Sequence, residues 1–426
     1  MNKPTLRHLK NGMSAILVPQ KGATSMTIFV MTKVGSRYET REINGASHFI
    51  EHLMFKGTKK YATTEILTRT LDQFGAEYNA FTGKDLTAYY IKMDAAKTPL
   101  AIDLLHEMLF KSKYEQKEID RERGVIIEEI NMYEDNPRMH LDDLLEEALF
   151  PDSTLGWNIA GPREVIKTVS REDLITYRDS YYIPERMTVV VAGKIVQGTL
   201  QLLQKTFGSV KSPKKREDRP FNVFRAPTKL VNAVKLQAKQ TEQVQLAMAF
   251  HGIKLGAKDV PAATLLSTIL GGSMSSRLFI QIRERLGLCY SIRAGHECLE
   301  DTGIFSISSG LDKKRVNEAV KAIFKELKLI KKTLVKPEEL RRAKDHIRGR
   351  TMLAFEDSST QADWYGRQWM FQGTLETPEE KMRRLEQVTA SDIRRVAKLI
   401  LQPERMAAAA IGPFAKTTEF AKMMKW

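Results

Sequence analysis

Two stretches of this chain decide how it is built: Val169–Gly193 reads VSREDLITYRDSYYIPERMTVVVAG, and Val388–Gly412 reads VTASDIRRVAKLILQPERMAAAAIG. They align without gaps at an offset of 219, with seven identities in 25 positions, including a shared Pro-Glu-Arg-Met. A Ser or Thr three residues before an Asp marks a helix start in each copy. The proline then precedes an apolar run, a buried strand at Thr188–Ala192 and again at Ala407–Ile411. This internal similarity points to a duplicated domain.

Working outward, each half opens with apolar strands, Ser14–Val18 and Ser25–Val34 in the first, Ala233–Gln237 and Gln243–Phe250 in the second. Helices and further strands follow in the same order. The pattern predicts an α+β chain of two homologous domains, each a sandwich of helices packed on one face of a mostly antiparallel sheet. Between them, residues 211–227 are rich in proline and charge, which argues against a continuous helix or a central strand. The expected division is residues 1–210, a linker over 211–227, and residues 228–426.

A length of 426 residues suits two domains of this size. Nothing approaches eighteen consecutive apolar residues, so no membrane-inserted helix is expected. Met1–Lys10 lacks the apolar core of a secretory signal, and a cytoplasmic location in a bacterium is the expectation. Cys289 and Cys298 are the only cysteines, which excludes a disulfide framework and a cysteine-rich metal site. The net charge of +15 has no nucleic-acid motif beside it, so no nucleic-acid partner is expected. The charge is unevenly spread. Glu118–Leu149 holds eleven acidic and three basic side chains, whereas Lys325–Arg350 holds ten basic and four acidic.

His48 and His52 stand four residues apart, one turn on one face of a helix. Two imidazoles at that spacing can share a metal ion. Glu51, beside the second, can reach a water on that ion, and H-x-x-E-H is the inverted form of a zinc-peptidase motif. A catalytic zinc needs a third ligand and an open fourth position. Glu122–Ile130 offers Glu122, Glu128 and Glu129. At about 100° per residue, Glu122 and Glu129 lie about 20° apart on a helix, on the side of Ile119, Val125, Ile126, Ile130 and Tyr133, while Glu128 points away. Carboxylates on an apolar face need partners, which a metal site, an arginine or backbone donors could supply.

The segment GASHFIEHLMFKGT, residues 45–58, closely resembles the signature of the pitrilysin/insulinase family of inverted-motif zinc peptidases, in the shorter two-domain type that includes mitochondrial processing peptidase and its bacterial relatives. That family's third ligand lies about 77 residues beyond the second histidine and seven beyond another glutamate. Glu129 is 77 residues after His52 and Glu122 is seven before it. The resemblance therefore implies one zinc ion per chain on His48, His52 and Glu129, with Glu51 as general base and Glu122 orienting a ligating histidine. Asn79-Ala80-Phe81-Thr82, followed by Asp85 and Thr87, resembles the edge strand that binds substrate backbone. Residues 270–279, LGGSMSSRLF, with Arg283 and Tyr290, resemble the second-domain signature. There the Arg–Tyr pair faces the active site and would hold substrate and stabilise the oxyanion. Pro261–Ser276, where the second half repeats the metal helix, has no His or Glu, so that half is expected to lack a metal.

The implied activity is zinc-dependent endopeptidase action on unfolded or short peptides, presequence-like ones among the candidates, and the acidic stretch predicts a preference for peptides carrying Lys or Arg near the cleaved bond. The resemblance also implies a homodimer enclosing a chamber, because metal ligands and the Arg–Tyr pair stand in one chain and no glycine-rich loop of a non-catalytic partner is present. The alternative is a non-catalytic core or peptide-binding subunit of the same fold.

Overall fold

The computed structural model describes residues 3–212, 221–231, 233–414 and 416–426; residues 213–220 of the expected linker lie outside them. Two sheets repeat one plan. The first half supplies β1 (Thr5–His8), β2 (Ser14–Pro19), β3 (Ser25–Thr32), β4 (Glu77–Thr82), β5 (Thr87–Asp94) and β6 (Met187–Gly193), ordered β1-β2-β6-β3-β5-β4. The second supplies β7 (Val234–Ala238), β8 (Gln243–His251), β9 (Cys289–Cys298), β10 (Gly303–Asp312) and β11 (Met406–Gly412), ordered β7-β11-β8-β10-β9. Leaving β1 aside, the two orders correspond strand for strand. Among the described residues, each sheet has a single parallel pair, β2 with β6 and β7 with β11.

The duplicated stretches behave alike in detail. Ser170 and Asp173 form a capping box at one helix start, and Thr389 and Asp392 form the same box at the other. Each box satisfies two of the backbone donors that a helix start leaves free. The Pro-Glu-Arg turns are short 3₁₀ segments that lead into β6 and β11.

The central strands of both sheets are apolar on both faces. Every residue of Met187–Gly193 is buried, and so is every residue of Ala407–Gly412. One layer of helices cannot cover two such faces. On one face of the first sheet, Ile28, Val30, Val189 and Val191 pack with the helices of their own half. On the other, Phe29, Met31, Val190 and Ala192 meet Phe355, Ala362 and Tyr365, which flank or belong to the helix Ser358–Gln372 of the second half. Reciprocally, Leu141, Leu145 and Ala148 of the first-half helix Pro137–Leu149 pack on Ala247, Ala249, Ala407 and Ala409.

The compact units are accordingly Met1–Asn131 with Trp157–Phe221 and Leu353–Thr377, and Met132–Gly156 with Asn222–Met352 and Pro378–Trp426. Division at residues 211–227 separates the strands of the two sheets but not these exchanged helices. The expected single helical layer is likewise a double one, because the strands carry apolar side chains in both directions. Among the described residues, no helix is long and apolar enough to cross a membrane.

Candidate metal centre

The centre lies in the first unit, on the helix Ala46–Leu53 and the helix Gln116–Asp135. Ala46, Phe49, Ile50 and Leu53 are buried and pin one side of the short helix to the core, which leaves His48, Glu51 and His52 on its other side. The helix starts at Gly45 with φ +101°, where a Cβ would come within 2.5 Å of the Ala160 carbonyl oxygen. Only glycine fits that corner.

Three atoms converge. His48 Nε2 and His52 Nε2 are 3.3 Å apart, and Glu129 Oε2 is 3.5 Å from each. The fit of a zinc ion to this triangle can be tested by geometry. Metal–ligand bonds of about 2.0–2.1 Å in a tetrahedron put ligand atoms about 3.3–3.4 Å from one another. Two imidazole nitrogens and one carboxylate are a catalytic donor set, and they leave the fourth position open. The residues fit the ion.

Partners behind the triangle set its orientation. Glu122 is 2% exposed, with Oε2 3.2 Å from His52 Nδ1 and Oε1 2.6 Å from Lys56 Nζ. A carboxylate on Nδ1 keeps the proton there and turns the Nε2 lone pair toward the metal position. Lys56 neutralises the buried carboxylate. It stands within the quoted motif, yet its spacing alone does not disclose which acid it meets. Against the helical reading, Ile119, Ile126 and Ile130 are buried as expected, whereas Val125 and Tyr133 are exposed. Glu128 points outward as expected. Among the described residues, the buried Nδ1 of His48 has no hydrogen-bond partner.

Glu51 lies beside the triangle, and Thr82 Oγ1 donates to its Oε2 at 2.5 Å. Burial raises the pKa of Glu51, and the Thr82 hydrogen bond pulls it back only in part. Of the expected substrate strand, Asn79 is exposed, with its side-chain oxygen taken up by the Ala80 amide, and Ala80 is buried. Phe81 packs edge-on against Phe29 and under Arg367. β4 is an edge strand that pairs only with β5 among the described residues. Asp85 is held by Arg37 at 2.8 Å, and Thr87 Oγ1 donates to the Val34 carbonyl.

Arg283 and Tyr290 belong to the second unit, on the π-helical segment Phe279–Arg285 and on β9. The Arg283 guanidinium lies 5.5 Å from the Tyr290 ring centre and 4.6 Å from that of Phe279, and Tyr290 is 75% exposed. The helix Val260–Gly271 stands where the metal helix stands in the first half. It is buried along most of its length, and a Cβ on Gly271 would meet the Ala294 amide at 2.2 Å. The helix lies too close to β9 there for any larger side chain.

Without metal, burial works against charge on His52, but hydrogen bonds to Glu122 and Glu129 outweigh it and raise its pKa to about 9. Burial and the neighbouring His52 lower His48 to about 4 against the pull of Glu129. The imidazole pair therefore holds one proton at neutral pH, and an incoming metal ion must displace it. Apparent zinc affinity is expected to rise about tenfold per pH unit between about pH 6 and about pH 8. Competition against a chromophoric chelator checks this, and a flat profile would contradict the assigned proton.

Comparison with known proteins identifies the family of the chain. Residues 15–163 match the family model described as insulinase (peptidase family M16), and residues 168–347 match that of the peptidase M16 inactive domain. The chain is 33% identical to the "uncharacterized zinc protease YmxG" of Bacillus subtilis, over 95% of this chain and 97% of that protein. It is 31% identical to a similarly named zinc protease of Streptomyces coelicolor, over 95% and 88%. A crystal structure of a protease from Helicobacter pylori shares the fold, with a TM-score of 0.89, 24% identity and coverage of 96% of this chain and 99% of that one. So does a putative M16-like peptidase from Alicyclobacillus acidocaldarius, with a TM-score of 0.86, 19% identity and coverage of 97% and 98%. With its family model, its relatives along nearly the whole length and its two repeated domains all in agreement, the chain belongs to the insulinase family of peptidases, M16.

Proposed function

We propose that this protein is a zinc-dependent endopeptidase acting on unfolded or short peptides. The observation that carries the reading is the triangle of His48, His52 and Glu129 at 3.3–3.5 Å with Glu51 beside it. A zinc ion held by these three residues supplies Lewis acidity, acidifying water and polarising the scissile carbonyl. Glu51 takes the proton of the attacking water and passes it to the leaving amine. Its raised pKa suits both roles, since a base must also be able to give the proton back. Thr82 holds one carboxylate oxygen of Glu51 and so orients the other. The free edge of β4 would receive the peptide as an added strand, reading backbone more than side chains. Arg283 and Tyr290 would grip the substrate and stabilise the oxyanion. We assign that service to the active site of a second copy in a homodimer, and a preference for basic peptides to the acid-rich stretch Glu118–Leu149.

The test is cleavage of a quenched-fluorescent peptide library by protein reconstituted with stoichiometric zinc. Turnover that a chelator abolishes and added zinc restores is expected. Zinc bound at stoichiometry with no cleavage of any library member would refute the enzymatic reading and leave a peptide-binding one.

A further inference from the structure

The helix that bears both histidines lacks a cap of its own. Its N-cap is Gly45, which has no side chain to accept the free amides of the first turn. A carboxylate from six residues upstream does so instead. Glu39 Oε2 accepts the Gly45 amide at 2.7 Å and Asn44 Nδ2 at 2.9 Å, and Oε1 accepts the Ser47 amide at 2.7 Å. Glu39 is only 4% exposed. Burial pushes its pKa up to about 7, against the pull of the Asn44, Gly45 and Ser47 donors. A buried carboxyl at that cost is retained here by three donors and by the positive end of the helix.

The same short segment holds the opposite wall of the site. The Ser36 amide donates to Gly83 O at 3.1 Å and the Arg37 amide to Lys84 O at 3.2 Å, while the fully buried Arg37 side chain grips Asp85 at 2.8 Å. These contacts fix the turn between β4 and β5, next to Thr82. Residues 36–39 thus tie the strand carrying Thr82 at one end and the helix carrying His48, Glu51 and His52 at the other.

The geometry points to Glu39 as a positioning residue that sets the metal helix in the register where His48 and His52 meet Glu129 and Glu51 meets Thr82. This rests on the zinc-peptidase reading above. Glu39 touches neither metal position nor substrate position, so it acts through the Gly45 and Ser47 amides. Gln cannot replace it, because one of the two oxygens would become an NH₂ group facing a backbone N–H.

The experiment measures zinc affinity by chelator competition for wild type, Glu39→Gln, Asn44→Ala and Glu42→Gln, together with the unfolding midpoint of each metal-free protein. Glu42 is an exposed carboxylate of the same loop and serves as the control. Glu39→Gln is expected to bind zinc about tenfold more weakly or worse, Asn44→Ala to lose less, and Glu42→Gln to match wild type. A role in stability alone would lower the metal-free midpoint of Glu39→Gln and leave the affinity of its folded form within twofold of wild type, which overturns the proposal. If Glu39→Gln does not fold, Asn44→Ala decides, and wild-type affinity in that variant overturns it as well. A wild-type protein that binds no zinc would instead overturn the metal reading itself.

Discussion

Glu51→Gln is expected to fold, to bind zinc like wild type and to cleave peptides about 10²- to 10⁴-fold more slowly, the range over which a positioned general base contributes. The side chains are nearly isosteric. The amide oxygen can still accept from Thr82 Oγ1, so the local packing is kept. What is lost is the ability to take a proton from water. His48, His52 and Glu129 are untouched, and that makes the variant a clean separation of metal binding from proton transfer. Zinc content by atomic absorption and initial rates on one fluorogenic peptide are sufficient. A variant with wild-type zinc and more than a tenth of wild-type activity would move the base to another residue.

His52→Ala is expected to act one step earlier, on the metal. Zinc sites with four protein ligands are worth roughly 10–16 kcal/mol, about 3 kcal/mol for each ligand. Losing one of three therefore weakens binding by roughly a hundredfold to a thousandfold. The substitution also strips Glu122 of its histidine and leaves it with Lys56 alone, at 2.6 Å. Glu122 and Lys56 still neutralise each other, so the fold is expected to survive. Dialysis against a mild chelator should empty the variant and not wild type, and activity should follow the zinc. In thermal melts, zinc is expected to raise the midpoint of wild type and to leave that of His52→Ala unmoved, since a ligand stabilises only the state that binds it. Stoichiometric zinc in the dialysed variant would remove His52 from the ligand set.

Much of this site could be read from one dimension because its chemistry is local. A separation of four residues on a helix puts two imidazoles on one side whatever surrounds them, and seven residues put Glu122 and Glu129 within about 20° of one another. The repeat of Pro-Glu-Arg-Met, with its capping Ser170 and Thr389, similarly announces two domains, since the capping box and the strand that follows are determined by neighbours in sequence.

Other features depend on contacts between residues far apart in the chain. Lys56 meets Glu122 across 66 positions and Glu51 meets Thr82 across 31, and neither distance follows from periodicity. Glu39 looks like any surface carboxylate in the sequence, and only the fold buries it over a helix start. Asp85 and Thr87, which the motif groups with the substrate strand, turn out to hold its turn in place.

The sequence by itself determined the run of elements, the repeat of one stretch by another and the placing of His48 and His52 on one helix face, because these follow from local spacing and from direct comparison of the two halves. Only the tertiary structure decided which helix covers which sheet and what stands behind each ligand. The exchanged helices Pro137–Leu149 and Ser358–Gln372 show why: each buries residues at helical spacing, Leu141, Leu145 and Ala148 in one and Gln361, Ala362, Tyr365 and Gly366 in the other, and such spacing does not state against which sheet they are buried.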